Sequence, residues 1–125
     1  MAYHVSKARF SELVTAALAD VPEEFAKFLE EVPVEVMDGP TPRMLRSAGV
    51  THGILLGLYR GRPLTARTVE DSGALPDVIY IFQNSIEIVC NSEDELIRQV
   101  RITVLHEIGH HFGLSEEDLE KLGYR

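Results

Sequence analysis

Between residues 96 and 112 the chain places Leu96, Ile97, Val100, Ile102, Val104, Leu105, Ile108 and Phe112 nearly all the way around a helix. A helix that is apolar on every side has to be buried. In a chain of 125 residues such a helix should lie at the centre, with the other elements wrapped around it. Ser92 followed by Glu95 reads as a capping box that opens it. Gly113 ends it, because glycine takes the left-handed conformation that turns a chain away from a helix axis.

The remaining pattern mixes helices and strands. Phe10, Leu13, Val14, Ala17 and Leu18 form one apolar face, predicting a helix from about Ser6 to Asp20. Pro22 suits a first helical position, and Phe25, Phe28, Leu29 and Val32 carry a second helix to Glu31. Val34 to Val36 predicts a short strand, Met44 to Ser47 a helical turn, and Ile54 to Tyr59 a strand that Leu64 to Val69 returns beside. Val78 to Phe82 is apolar on both faces and is the clearest strand. Ile86 to Cys90 has a strand's composition, but Asn84 with Glu87 resembles a capping box and favours a short helix. Ser115 with Asp118 starts a last helix ending near Gly123. No linker or repeat divides the chain, so residues 1–125 read as one domain.

The central helix carries His106-Glu107-Ile108-Gly109-His110. Four residues turn a helix by about 400°, so the two imidazoles share a face one turn apart. That spacing suits one small cation, and Zn²⁺ accepts imidazole nitrogen readily. Glu107 stands beside the first imidazole, where a carboxylate can act as general base toward water that zinc has made acidic. The turn at Gly113 can bring Glu116 back as a third ligand. The alternative for Glu116 is a first-turn residue favoured by the helix dipole, a role that also suits Glu117 and Asp118. His111 lies about 100° off the ligand face. His4 and His52 are remote in sequence. Tyr59, Tyr80 and Arg67 are candidates to steady an oxyanion, and Cys90 reads as a small buried apolar group.

Twelve basic and twenty acidic residues give a net charge of −8, which argues against nucleic-acid and anionic-membrane partners. The charge is uneven. Residues 39–92 hold five arginines against four acids, between two acidic ends. Those arginines (Arg43, Arg46, Arg60, Arg62, Arg67) would meet an anionic partner or form a solvated face. One cysteine excludes an internal disulfide and any multi-cysteine zinc site. No run approaches the length of a membrane span, and the N-terminus lacks an apolar signal core, so the expected compartment is the cytoplasm.

His106-Glu107-x-x-His110-x-x-Gly113-x-x-Glu116 resembles the extended zincin metallopeptidase motif. Together with Leu55-Leu56-Gly57-Leu58-Tyr59-Arg60-Gly61-Arg62-Pro63-Leu64 and the block from Val100 to Leu114, it makes nearly the whole chain similar to the minimal zincin-like metallopeptidases of bacteria. The resemblance implies an α+β zincin-like fold, with a small β-sheet packed on helices around a central active-site helix. It implies Zn²⁺ held by His106, His110 and an acidic residue at 116, where the family often has aspartate, and a glutamate base at 107. The expected function is peptide-bond hydrolysis on a peptide or protein substrate, laid beside the strand Val78–Phe82. Two rivals stand beside it: a non-catalytic module stapled by zinc, and a zinc hydrolase acting on a non-peptide bond. Oligomeric state is not legible.

Overall fold

The computed structural model describes residues 2–61 and 77–122, apart from the side chains of Glu116 and Leu122. The expected strand Leu64–Val69 and Arg67 lie outside the described residues. The elements run α1 (Lys7–Leu18), α2 (Glu23–Glu31), β1 (Val34–Met37), α3 (Pro42–Ser47), β2 (Gly57–Arg60), β3 (Val78–Phe82), α4 (Gln83–Ile88), α5 (Glu93–His111) and α6 (Glu116–Leu122). The architecture is a small α+β fold: among the described residues, a three-stranded sheet in the order β1-β3-β2, packed on helices.

The apolar stripe of α1 is buried as its spacing predicts, through Phe10, Leu13, Val14 and Ala17. Ser6 Oγ caps the helix by accepting the Arg9 N–H at 3.0 Å. Pro22 proves to be the cap of α2 and not its first helical residue. Its backbone is extended at ψ 146°, and its carbonyl accepts the N–H groups of Phe25 and Ala26.

β3 is buried along its whole length, because it has a strand on each edge. β1 pairs with it in parallel, Val34 opposite Ile79 and Met37 opposite Phe82. β2 pairs antiparallel, Gly57 opposite Ile81 and Arg60 opposite Val78. Ile79, Ile81 and Tyr59 face the main core, which α1 and α5 complete through residues such as Phe10, Leu96, Val100, Val104 and Ile108. Val78, Tyr80 and Phe82 face the other way, with Met37, Met44, Leu55 and Leu58 packed against them. The expectation that a peptide would lie beside Val78–Phe82 is therefore corrected: β3 is central and both its edges are occupied. The strand expected over Ile54–Tyr59 is shorter, since residues 54–56 are not paired as strand.

Of the ambiguous segment Ile86–Cys90, Ile86 to Ile88 are helical and close α4, as the polar pattern suggested, while Val89 and Cys90 lie beyond the helix. Its proposed cap is absent, however. Phe82 occupies that position and makes no side-chain cap bond. Glu87 has another task. It is buried at 3% exposure. Its Oε2 accepts the Val5 N–H at 2.9 Å and a Gln83 N–H at 3.2 Å, while Oε1 lies 3.1 Å from His4 Nδ1. Tyr3 N–H and the Glu87 carbonyl close the same seam at 3.1 Å. One buried carboxylate thus ties the N-terminal segment to α4. Burial pushes the Glu87 carboxyl up, but the bonds from Val5, His4 and Gln83 outweigh it and hold the group below its ordinary value.

A carboxylate depressed in the folded chain contributes stability that is present above its unfolded pKa and lost as pH falls through its folded one. Glu87→Gln should therefore lower the urea midpoint at pH 7. The gap to wild type should shrink as pH falls through the carboxylate range. A gap that stays constant from pH 7 to pH 3 would remove the charged carboxylate from this account.

Candidate metal centre

α5 begins as its sequence demands, with Ser92 Oγ accepting the Glu95 N–H at 3.2 Å. It buries Leu96, Val100, Val104, Leu105 and Ile108. Its end is a complete Schellman motif: Gly113 sits at φ +81°, Gly113 N–H reaches the His110 carbonyl at 3.0 Å, and Leu114 N–H reaches the Gly109 carbonyl at 2.9 Å. α6 then packs back on α5. A Cβ at Gly109 would overlap Leu119 Cδ2, and Leu119 is fully buried. The two glycines of the motif region thus have separate tasks: Gly113 turns the chain, and Gly109 leaves room for it to return.

His106, Glu107 and His110 come together as the spacing predicts. Their ligand atoms all lie within 4.8 Å of one another, and the two imidazole rings stand 4.3 Å apart, nearly edge to face at 68°. His106 and Glu107 are half-buried and His110 is exposed. Two imidazoles this close suit a zinc ion, which takes nitrogen donors readily and leaves positions for further ligands.

Glu107 is held from the sheet. Tyr59 N–H donates to its Oε1 at 3.0 Å. The ladder explains why that N–H is available. Phe82 N–H bonds to the Leu56 carbonyl, so alternate residues of β2 point their backbone groups at β3, and Gly57 and Tyr59 point theirs outward. The approach of β2 to α5 is close at Gly57, where a Cβ would stand 2.6 Å from Thr103 Cγ2 and 2.9 Å from the Tyr80 carbonyl. Two clefts flank Glu107. One of about 280 Å³ lies between Leu55, Leu56 and Gly57 on one wall and Gln99, Ile102 and His106 on the other. The other, of about 220 Å³, is lined by Tyr59, Gly61, His110 and His111.

The remaining candidates sort themselves. His111 is buried at 5% exposure, stacked on Tyr59 at 4.6 Å and tilted against Phe28 at 5.2 Å, so it anchors the helix end and is off the ligand face. His4 is at the Glu87 seam and His52 is exposed. Asp118 and Ser115 cap α6 reciprocally, with Asp118 N–H on Ser115 Oγ at 3.1 Å and Ser115 N–H on Asp118 Oδ2 at 3.2 Å. Glu117 is exposed and pairs with Lys121 at 3.5 Å. Glu116 opens α6 directly after this cap, and its side chain lies outside the described residues. Tyr59 lines the cleft but its hydroxyl donates to Asp77 at 2.7 Å. Tyr80 belongs to the opposite face of the sheet and accepts from Arg60. Cys90 is buried in the main core, and burial pushes its thiol up. Sequence reasoning missed Tyr59's backbone N–H, since a main-chain donor carries no residue signal.

A helix bearing paired histidines and a glutamate, set against β2, which is the outer strand of the sheet among the described residues, is an arrangement of the zincin class. The chain matches the zincin-like metallopeptidase family over residues 29–124, more than half its length, and belongs to that family. It is also similar in structure to a conserved hypothetical protein from Thermus thermophilus, with 27% identity and a TM-score of 0.54, covering 94% of this chain and 97% of that one. None of the curated proteins matches this chain.

Zinc that binds only the folded chain stabilises it by mass action, by about 2.7 kcal/mol at a free concentration a hundred times Kd. Thermal melts with zinc and with chelator should differ accordingly in wild type. The difference should vanish in His106→Ala and His110→Ala. Equal melting temperatures in wild type under both conditions would exclude a zinc site.

Proposed function

We propose that this chain is a zinc-dependent peptidase in which His106, His110 and Glu116 hold the metal and Glu107 is the general base. The observation that carries this reading is the placement of the Glu107 carboxylate beside both imidazoles, with one oxygen held by a strand backbone and a cleft on either side. Zinc, when bound, supplies the Lewis acidity that polarises a scissile carbonyl and acidifies water. Glu107 takes the proton of the attacking water and returns it to the leaving amine. The Tyr59 N–H restricts the carboxylate to one orientation, so less freedom is lost when it meets its proton.

The substrate is a peptide or protein segment. Gly57 turns its backbone groups outward, the Tyr59 N–H being taken by Glu107, and among the described residues no strand covers that edge of β2. An extended chain can add there by main-chain hydrogen bonds, in place of the central strand. The net charge of −8 disfavours nucleic acid or an anionic membrane as partner. Among the described residues no helix is long and apolar enough to cross a membrane.

Glu107→Gln should keep zinc and fold while losing cleavage of a peptide library by about 10² or more, the scale of general-base catalysis. Loss of zinc from that variant would make Glu107 a ligand, and undiminished cleavage would end the peptidase reading.

Glu116→Ala should weaken zinc binding strongly without unfolding the chain, and Glu116→Asp should retain zinc with altered affinity. A carboxylate oxygen is a good zinc donor at about 2.0–2.2 Å. Wild-type affinity in Glu116→Ala, measured by competition with a chelating dye, would reduce Glu116 to a helix-start residue.

A further inference from the structure

The face of the sheet turned away from α5 carries a second cavity, which shares no residue with the clefts around Glu107. Its volume is about 450 Å³, within the range of small-molecule sites. Leu58 and Met44 form its apolar floor, and Tyr80 and Arg60 its β-sheet wall. Thr41 and Arg43 line it from the start of α3, and Ser47 from its end.

The polar groups here are of one kind. Arg60 Nη1 donates to Tyr80 Oη at 2.7 Å, and the guanidinium also lies over the Tyr80 ring at 5.6 Å from its centroid. The Tyr80 oxygen is thereby engaged as an acceptor. Its own O–H proton has no acceptor among the described residues, although Tyr80 is only 8% exposed. Thr41 Oγ1 is likewise engaged as an acceptor, by the Met44 N–H at 3.1 Å, which leaves its O–H to donate. Arg43 forms no ion pair among the described residues and brings a second permanent positive charge. No carboxylate lines the cavity among the described residues, in a chain with twenty acids and twelve bases. A wall of donors and two guanidiniums above an apolar floor is complementary to an anion with an apolar body.

We propose that this cavity binds a small molecule that joins a carboxylate or phosphate head to a short apolar body. Arg43, Arg60 and the Tyr80 hydroxyl take the head, while Leu58 and Met44 take the body. The site is independent of the metal centre. It gives a task to two of the arginines that make the middle of this acidic chain weakly basic.

The test uses the full isotope-labelled chain, with and without zinc, titrated with octanoate, octyl phosphate, octanol and inorganic phosphate and followed by amide NMR shifts. Octanoate or octyl phosphate should shift the signals of residues 41–47 and 58–60, equally with chelator and with zinc. The tighter of the two identifies the head group. Octanol and inorganic phosphate should each bind at least about tenfold more weakly, since each lacks one half of the ligand. Arg43→Gln, an exposed position that does not threaten the fold, should weaken octanoate and octyl phosphate by about tenfold and leave octanol unchanged. Tyr80→Phe, checked for an unaltered melting temperature, should weaken the anions alone. The proposal is overturned if no ligand binds at millimolar concentration, or if the shifts lie elsewhere. It is equally overturned if octanol matches octanoate, if inorganic phosphate matches octyl phosphate, or if Arg43→Gln binds as wild type does. None of these outcomes bears on the peptidase reading, which rests on the other face of the sheet.

Discussion

The contact between α5 and β2 is made with almost nothing between the two backbones. At Gly57 the space that a Cβ would need is already taken by the Thr103 methyl and the Tyr80 carbonyl. That closeness lets a main-chain N–H of the strand reach a carboxylate on the helix. Were a larger residue at 57 to hold the two elements farther apart, only side chains would bridge them. The orientation of Glu107 would then depend on rotamers. Here it depends on sheet register, which the buried face of β3 specifies strongly, because a one-residue slip would turn Ile79 and Ile81 out of the core.

The part of this design that was legible in the sequence is the part governed by periodicity and by local caps. The α5 helix, its Ser92 start, its Gly113 end and the grouping of His106, Glu107 and His110 follow from spacings of three and four residues. The burial of β3 follows from its continuous apolar run. The rest was not legible, because a distant partner decides the outcome. Glu87 matches a local capping pattern, yet its carboxylate is recruited by a segment 82 positions earlier. Ile88 and Val89 belong to an apolar run and are nevertheless 53% and 45% exposed, because the short helix turns them outward while Ile86 and Cys90 go in. Pro22 suits a first helical position but stands one residue outside it, since its fixed φ serves a cap as well as a first turn. The central place of β3 was not legible because strand order is a property of three segments together, and no one of them encodes it.

The motif's unspecified positions are also less free than their notation suggests. Position 109 is glycine, and Leu119 of α6 occupies the space its side chain would fill. The turn at Gly113 sets the direction in which the chain leaves the helix, and Leu119 sets how near it comes back. The location of residue 116 is therefore fixed by packing between two apolar surfaces as much as by any affinity for a metal.

The N-terminal seam carries a consequence for how the molecule comes to be folded. α1 finds its partner in α5, the Arg9 guanidinium meets Glu93 at 2.6 Å across 84 positions, and Val5 meets Glu87 across 82. Contacts of such separation demand that a long loop be closed before they repay the lost chain entropy. Until α5 is present, the apolar stripe of α1 lacks the helix it packs against. The helix that bears His106, Glu107 and His110 is thus also the one that completes the core around α1.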